Sequence, residues 1–263
     1  MSFRSAGFRP AVLGSAVALA FALSSTALMA QSPQPSAAAS SAATPAPAAS
    51  AATPASSSSA AAPASVAAVK PGDATAGQAK AAVCGACHGL DGNSSDPQFP
   101  KLAGQSEQYI VRQLTDFKSG KRQNPIMLGM ATPLSTQDMH DVGAYFASQK
   151  SRPGVADQAL VEPGQTLFRQ GDPKRDIPAC MACHTIDGSG NPGAMYPQLA
   201  GQHAQYVEAV LKAWHNGDSW GTDVHSQIMP TIAKKLDAKD IAAVASYIEG
   251  LHNADSQPAT TTP

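Results

Sequence analysis

The sequence predicts an all-α protein with two tandem domains, and three observations support this. Residues 99–105 (Phe-Pro-Lys-Leu-Ala-Gly-Gln) return at 196–202 as Tyr-Pro-Gln-Leu-Ala-Gly-Gln, which indicates an internal duplication. Apolar residues follow each copy at the spacing of an amphipathic helix. A cysteine motif also occurs twice, and the residues near it do not alternate between apolar and polar as those of a half-buried strand would. We therefore place the first domain at residues 70–150 and the second at 151–254, with the junction near 151–154.

The N-terminal residues 1–30 have the pattern of an export signal. Arg4 and Arg9 form a basic start, and an uncharged apolar run follows them. Small residues allow cleavage after Ala27 or after Ala30. The run is also long enough to span a bilayer, so an uncleaved membrane anchor is the alternative. Both interpretations place the rest of the chain outside the cytoplasm.

Two further segments are expected to be disordered. Residues 31–69 consist almost entirely of Ala, Ser, Pro and Thr, with a proline every few residues to interrupt any helix. This segment carries no charge and too little apolar surface to form a core, so we predict a linker. Residues 255–263 are predicted to form a second disordered tail.

The helices are predicted in the same order in each domain. A short helix precedes each cysteine motif, near residues 75–83 and 164–170. An amphipathic helix follows each repeated segment. A closing helix begins at Ser135 or Asp237, each an N-cap with an acid three residues later, and Gly250 is expected at the second C-cap. The predicted helix faces consist of Tyr109, Ile110, Leu114 and Phe117; Tyr206, Val207, Leu211 and Trp214; Met139, Val142 and Tyr145; and Ile241, Val244, Tyr247 and Ile248.

The repeated cysteine motif is Cys-x-x-Cys-His, the attachment sequence of covalent haem. It occurs as Cys84, Cys87 and His88 and again as Cys180, Cys183 and His184. The two thiols add across the haem vinyl groups, and the adjacent imidazole reaches the iron as proximal ligand. The two copies use all four cysteines of the chain, so none remains for a disulfide. We predict two covalently attached haem c groups.

Zinc binding and thiol redox chemistry are the competing interpretations of a Cys-x-x-Cys pair. A zinc ribbon places its two pairs about 15–20 residues apart, far closer than the two copies lie here. A thioredoxin motif follows a strand in a β-α-β unit, and the pattern predicts no such strand. Haem attachment accounts for the motif better than either.

The sixth iron ligands are predicted from the duplication. Met127 and Met229 are related by an offset of 102 residues, the offset that also relates Tyr145 to Tyr247. A thioether favours ferrous iron and raises the reduction potential. Pro230 is expected to stiffen a loop that presents Met229. Core packing by both methionines, and ligation by Met130 instead of Met127, are the alternatives.

Three histidines of the second domain are alternative iron ligands. His203, His215 and His225 offer bis-His ligation, but none has a histidine counterpart in the first domain, which favours hydrogen-bonding roles. His140 and His252 are expected to face solvent, and Trp214 and Trp220 to pack. The carbonyl groups of Pro100 and Pro197 are expected to accept the N–H of the proximal imidazoles.

Residues 82–93 (Ala-Val-Cys-Gly-Ala-Cys-His-Gly-Leu-Asp-Gly-Asn), the repeated segment and the duplicated Leu-Ser/Asp-x-x-Asp pattern together resemble the cytochrome c4 family of dihaem cytochromes. The resemblance covers roughly residues 72–252. It implies two helical cytochrome c domains related by a pseudo-twofold axis, with haem propionates near the interface. It implies axial pairs at His88 with Met127 and at His184 with Met229. The Ala/Pro/Ser segment departs from the usual family pattern.

The sequence and the resemblance together predict a periplasmic one-electron carrier. By resemblance, its redox partners are a quinol-oxidising cytochrome bc complex and a haem–copper terminal oxidase or other reductase. The formal net charge of −1 and the pI of about 6.6 give no support to nucleic-acid binding. The alternative is a dihaem enzyme of the peroxidase or thiosulfate-oxidising type, which needs one exchangeable axial ligand. No cysteine is spare for such a ligand, and each domain offers a methionine.

Overall fold

The computed structural model describes residues 69–252, which contain α-helices, two 3₁₀ turns and no β-strand. The helices are α1 Ala74–Ala81, α2 Gly85–His88, α3 Glu107–Lys118, α4 Pro125–Ala131, α5 Thr136–Ala147, α6 Gln158–Gln170, α7 Met181–His184, α8 Ala204–His215, α9 Val224–Ala233 and α10 Ala238–Gly250. The 3₁₀ turns are Pro173–Arg175 and Pro192–Ala194. The predicted export segment, the predicted linker up to residue 68 and the C-terminal tail lie outside the described residues.

In the first half, residues 69–150, helix α5 is the centre of the packing. Helices α1 and α3 both pack against it, and α4 packs against α3. Phe146 is fully buried on α5, and burial of one such side chain stabilises the fold by roughly 1.5–3 kcal/mol. The core consists of Ala81, Ile110, Leu114, Phe117, Ala131, Met139, Val142 and Phe146.

The second half, residues 151–252, repeats this arrangement. Helices α6 and α8 pack against α10, and α9 packs against α8. The core is larger and consists of Leu167, Phe168, Ile177, Val207, Leu211, Ala233, Leu236, Ile241, Val244, Ala245, Tyr247 and Ile248. Within residues 69–252, no helix combines the length and the apolar character needed to cross a membrane.

One glycine in each half allows the first helix to cross the closing helix closely. A Cβ on Gly77 would lie 1.9 Å from the carbonyl oxygen of Asp141 on α5, and one on Gly164 would lie 2.3 Å from that of Ala243 on α10. Real Cβ atoms do not approach backbone that closely, so neither crossing accommodates a larger residue. The duplication therefore extends to the helix crossings.

The closing helices confirm the predicted N-caps. Ser135 and Asp237 each form a capping box with the acid three residues later. The prediction for Gly250 was wrong, because Gly250 is the last residue of α10 and Leu251 is the C-cap. A Cβ on Gly250 would lie 2.8 Å from the Cβ of Ala156, so the glycine permits a close approach to the segment before α6.

Helices α6 and α9 both contain a proline and extend further than the sequence indicated. Helix α6 begins at Gln158, six residues earlier than predicted, and continues through Pro163. Met229 was expected in a loop, but it lies inside α9 and is followed there by Pro230. The proline removes one helical N–H in each case. Asp157 and Asp223 cap the two helices with their side chains, and both helices are continuous.

Candidate haem-binding site

Each Cys-x-x-Cys-His motif forms one short helical turn. Cys84 is the N-cap of α2, and its backbone carbonyl oxygen accepts the amide N–H of His88 at 3.0 Å. The backbone carbonyl oxygen of Cys180 accepts the amide N–H of His184 at the same distance. This turn fixes the two thiols and the imidazole of each half next to one another in sequence and space. All four cysteines are free of disulfide bonds.

The first thiol of each motif is poorly suited to the competing chemistries. Burial raises the pKa of Cys84, and it raises the pKa of Cys180 to about 11. A protonated thiol is neither a good nucleophile nor a zinc ligand at neutral pH. Within residues 69–252, moreover, no cluster of three His, Cys, Asp or Glu side chains could hold a metal ion.

The imidazoles of His88 and His184 are buried, and each contacts a proline carbonyl group as predicted. Nδ1 of His88 donates to the carbonyl oxygen of Pro100 at 2.8 Å, and Nδ1 of His184 donates to that of Pro197 at 2.9 Å. Burial lowers the pKa of both imidazoles, against a smaller opposing effect of the carbonyl group. Each ring is therefore neutral with its proton on Nδ1, which leaves the Nε2 lone pair for a metal.

The repeat loops, residues 99–105 and 196–202, position these carbonyl groups identically. In each half, a leucine amide donates to a glycine carbonyl that follows the motif, and a glycine amide donates to a carbonyl of the closing helix. The donor and acceptor pairs are Leu102 to Gly92 (2.7 Å), Gly104 to Phe146 (2.9 Å), Leu199 to Gly188 (2.7 Å) and Gly201 to Ile248 (3.0 Å). The duplicated sequence thus codes for a duplicated imidazole support.

The first aromatic residue of each repeat loop lies against the proximal imidazole. The ring centroids of Phe99 and His88 are 6.2 Å apart, and those of Tyr196 and His184 are 6.0 Å apart. Neither aromatic residue was predicted from the sequence to contact an imidazole. Their identical place in the two repeats was the signal that could have found them.

Both predicted methionines lie at the edge of a core that also contacts the haem motif. Met127 is half-buried and packs against the same core as Cys84, and Met229 packs against the same core as Cys180. The side chain of Asn124 caps α4 by accepting the amide N–H of Met127 at 3.0 Å. Among the half-buried side chains that pack against the first core, Met127 is present and Met130 is not.

The remaining histidines make other contacts. Both ring nitrogens of His203 have partners, in Ser94 and Glu249. Those of His225 bind Arg112 and the carbonyl of Ala194.

His215 and His140 each use Nδ1. His215 donates from Nδ1 to the carbonyl oxygen of Ala233 at 3.1 Å. His140 was expected to face solvent, but its Nδ1 lies 2.6 Å from a carboxylate oxygen of Glu107, which joins α5 to α3.

The surfaces around the motifs fit a porphyrin. Each half supplies two thiols, one neutral imidazole and one thioether, the donor set of a c-type haem. Large apolar side chains within six residues of these donors in sequence are exposed to solvent and are available to contact a porphyrin. They are Val83, Leu90, Ile126 and Leu128 in the first half and Ile186 and Val224 in the second.

The cytochrome c family model matches the chain twice, at residues 74–150 and 161–252. With one Cys-x-x-Cys-His site in each match, the chain is a dihaem c-type cytochrome, and this class transfers electrons. Cytochrome c4 of Pseudomonas aeruginosa is 54% identical over 181 residues, which cover 69% of this chain and 90% of that protein. The chain belongs to the cytochrome c4 family.

Two other comparisons bear on function. The solved structure of reduced recombinant cytochrome c4 from Pseudomonas stutzeri matches with a TM-score of 0.65 and 49% identity, covering 69% of this chain and all of that one. A protein of Thiomonas intermedia named thiosulfate dehydrogenase electron acceptor is 38% identical over 183 residues, covering 68% of this chain and 82% of that protein. The relatives support the electron-carrier hypothesis over the enzyme hypothesis.

The contact surface between the two halves contains one arginine, Arg122, that was not predicted from the sequence to have a role. Arg122 lies 3.5 Å from the ring centroid of Trp220 and donates to the hydroxyl of Tyr206 at 2.9 Å. Burial raises the pKa of Tyr109, and nearby Tyr206 raises it further. Arg122 has no arginine counterpart in the second repeat, so no sequence signal marked it. Trp214 and Trp220 pack against each other, as expected, at 4.6 Å between ring centroids.

Proposed function

We propose that this protein is a periplasmic one-electron carrier with His88 and Met127 as axial ligands of one haem and His184 and Met229 as those of the other. The observation that carries the proposal is the duplicated buried imidazole, neutral and oriented by a proline carbonyl in each half. A fixed axial ligand in a dry site suits a carrier, because both oxidation states then share nearly one geometry.

The cysteines, proline carbonyl groups and methionines would have different roles in holding the haem groups. Haem iron supplies the one-electron couple when bound. The four cysteines anchor the two groups covalently, and the proline carbonyl groups fix the orientation of each imidazole. Met127 and Met229 would complete six-coordinate sites and exclude water and exogenous ligands. Their packing against the core that also contacts the first cysteine of each motif supports this assignment.

For the partners, we propose a quinol-oxidising cytochrome bc complex as donor and a haem–copper terminal oxidase as acceptor. This part of the proposal rests on the family resemblance. The export signal predicted at residues 1–30 supports a periplasmic location, where covalent haem attachment takes place in bacteria. Residues 70–150 and 151–254 would then form the two carrier domains.

A thiosulfate dehydrogenase is a second candidate donor. The observation that favours it is the relative named as the electron acceptor of such an enzyme, which aligns with most of the two-domain region. Rapid-mixing reduction by a purified cytochrome bc complex and by a purified thiosulfate dehydrogenase would separate the two. The true donor is expected to reduce the protein at least tenfold faster than the other at equal concentration and ionic strength.

The optical spectrum of the purified protein tests the ligation. Two haems per chain, a low-spin oxidised form and the weak red charge-transfer band of methionine-ligated ferric haem are expected. A high-spin signal, or rapid binding of cyanide at one haem, would instead mean that one methionine does not ligate iron. The carrier proposal would then fail for that haem.

A further inference from the structure

One glutamine side chain of each half hydrogen-bonds to the backbone of the other half, and we call this pair of contacts the glutamine exchange. Gln202 of the second half accepts the amide N–H of Lys101 at 2.8 Å and donates to the Lys101 carbonyl at 2.9 Å. Gln105 of the first half makes the same pair of bonds to the backbone of Gln198. Its side chain accepts the Gln198 amide N–H at 3.0 Å and donates to the Gln198 carbonyl oxygen at 2.6 Å. All four bonds are buried, and the two glutamines are 5% and 6% exposed.

Each glutamine binds the peptide group that supports the other half's proximal histidine. The carbonyl of Pro100, which accepts from His88, and the amide of Lys101 belong to one peptide bond. The chain of bonds therefore runs from Nδ1–H of His88 through the 100–101 peptide to Oε1 of Gln202. The equivalent chain runs from His184 through the 197–198 peptide to Oε1 of Gln105.

A peptide that donates through its N–H becomes a stronger acceptor at its carbonyl oxygen. Hydrogen bonds in series polarise one another by about 10–30% per bond, and the effect is largest where water is excluded. A stronger acceptor at Nδ1–H makes the imidazole a more basic ligand. A more electron-rich imidazole stabilises ferric over ferrous iron and so lowers the reduction potential.

We propose that Gln202 lowers the reduction potential of the haem bound to the first half, and that Gln105 lowers that of the haem bound to the second. The inference rests on the proposed axial roles of His88 and His184 and is independent of the methionines and of the redox partners. Both glutamines are positioning residues, which act through a peptide and an imidazole. The contact between the halves thereby lowers both potentials, each through a glutamine of the other half.

The test is a site-resolved redox titration of the full dihaem protein by NMR, comparing the unmodified chain with Gln202→Leu. The variant removes the acceptor of the Lys101 N–H without changing charge. The potential of the first haem should rise, and the equilibrium constant for moving one electron from the second haem to the first should increase about two- to threefold. The matched variant Gln105→Leu should change this constant in the opposite direction by a similar factor.

A second readout does not depend on electron transfer. In the reduced, diamagnetic protein, the Nδ1–H proton of His88 should move upfield in Gln202→Leu, while that of His184 keeps its position. Gln105→Leu should show the reverse. If the leucine variants do not accumulate as dihaem protein, Gln202→Asn and Gln105→Asn, whose shorter side chains draw the acceptor away, are expected to give the same crossed pattern.

Two results would overturn the inference. One is a change confined to the haem of the half that carries the substitution. The other is an equal shift of both haems by either variant, which would mean that the glutamines only hold the halves together. A failure of the methionine ligation in the optical spectrum would leave the crossed pattern of potentials in the redox titration intact, so the two proposals fail separately.

Discussion

Met127 is the residue on which the proposed ligation of the first haem depends most directly. We expect Met127→Leu to remove the sixth ligand of that haem alone, giving one high-spin haem and about half of the red charge-transfer absorbance. The measurement is the optical and electron paramagnetic resonance spectrum of the oxidised protein. Met130→Leu is the matched control, three residues away on the same helix, and should leave both haems low-spin. The reverse outcome would assign the ligand to Met130.

Individual residues differ in how far the sequence could predict them. The cysteines and proximal histidines follow from the motif, since the chemistry of attachment fixes their spacing locally. The proline carbonyl contacts were predictable from the chemistry of metal-bound imidazole and are present at 2.8 and 2.9 Å. Gln202, in contrast, belongs to the repeated segment, but its role in contacting the other half was not predicted. Its partner Lys101 is 101 residues away in sequence, where no local pattern reaches.

At the scale of helices, Asp141 joins α1 to α5. Its carboxylate accepts from Lys80 at 2.6 Å and from the amide of Asp73 at 3.0 Å, and these bonds lower its pKa from an ordinary 3.8 to about 2. A carboxylate whose pKa is lowered on folding stabilises the fold at pH values above its pKa in the unfolded state. This contribution is lost as the pH falls through its pKa in the folded state. The stabilisation by Asp141 is therefore full above about pH 4 and lost near pH 2.

We expect Asp141→Asn to lower the free energy of unfolding by about 1–2 kcal/mol at pH 7. The difference from the unmodified protein should shrink between pH 4 and pH 2, because the native carboxyl group then becomes protonated too. Urea unfolding followed by circular dichroism measures it. Asp176→Asn is the control: Asp176 also pairs with a lysine, Lys235, but its side chain is 92% exposed, and the loss should be close to zero. Equal losses in both variants at every pH would contradict the argument.

Local sequence signals predict some helix ends correctly but not others. The capping boxes of α5 and α10 depend on residues three apart and were predicted correctly. Helices α6 and α9 run through prolines that, in sequence, indicate an end or a loop. Packing of α6 on α10 and of α9 on α8 stabilises them despite the lost hydrogen bond, and this packing is invisible to a local pattern.

At the scale of the whole molecule, Arg122 is one of the side chains that tie the two halves together. It lies over Phe117 of its own half at 4.5 Å and over Trp220 of the other at 3.5 Å. It also donates to Gln113 at 2.6 Å and to Tyr206. The duplication predicted two similar domains, but it could not predict this contact, since a repeat pattern contains only what the copies share.

We expect Arg122→Ala to lower the free energy of unfolding by about 2 kcal/mol through the lost cation–π contacts and hydrogen bonds. It should also uncouple the halves. Both tryptophans lie in the second half, so their fluorescence reports on that half while circular dichroism reports on both. The two urea transitions should coincide in the unmodified protein and separate in the variant.

Arg169→Ala is the matched control, because Arg169 donates to the hydroxyl of Tyr247 within the second half. It should reduce stability without separating the two transitions. If the Arg122→Ala transitions remained coincident, the remaining contacts would couple the halves, among them the glutamine exchange at the repeat loops and the bond from Arg112 to Ser226. The proposed tuning of the two potentials requires that exchange to persist, so redox titration of Arg122→Ala should still give two potentials as far apart as in the unmodified protein.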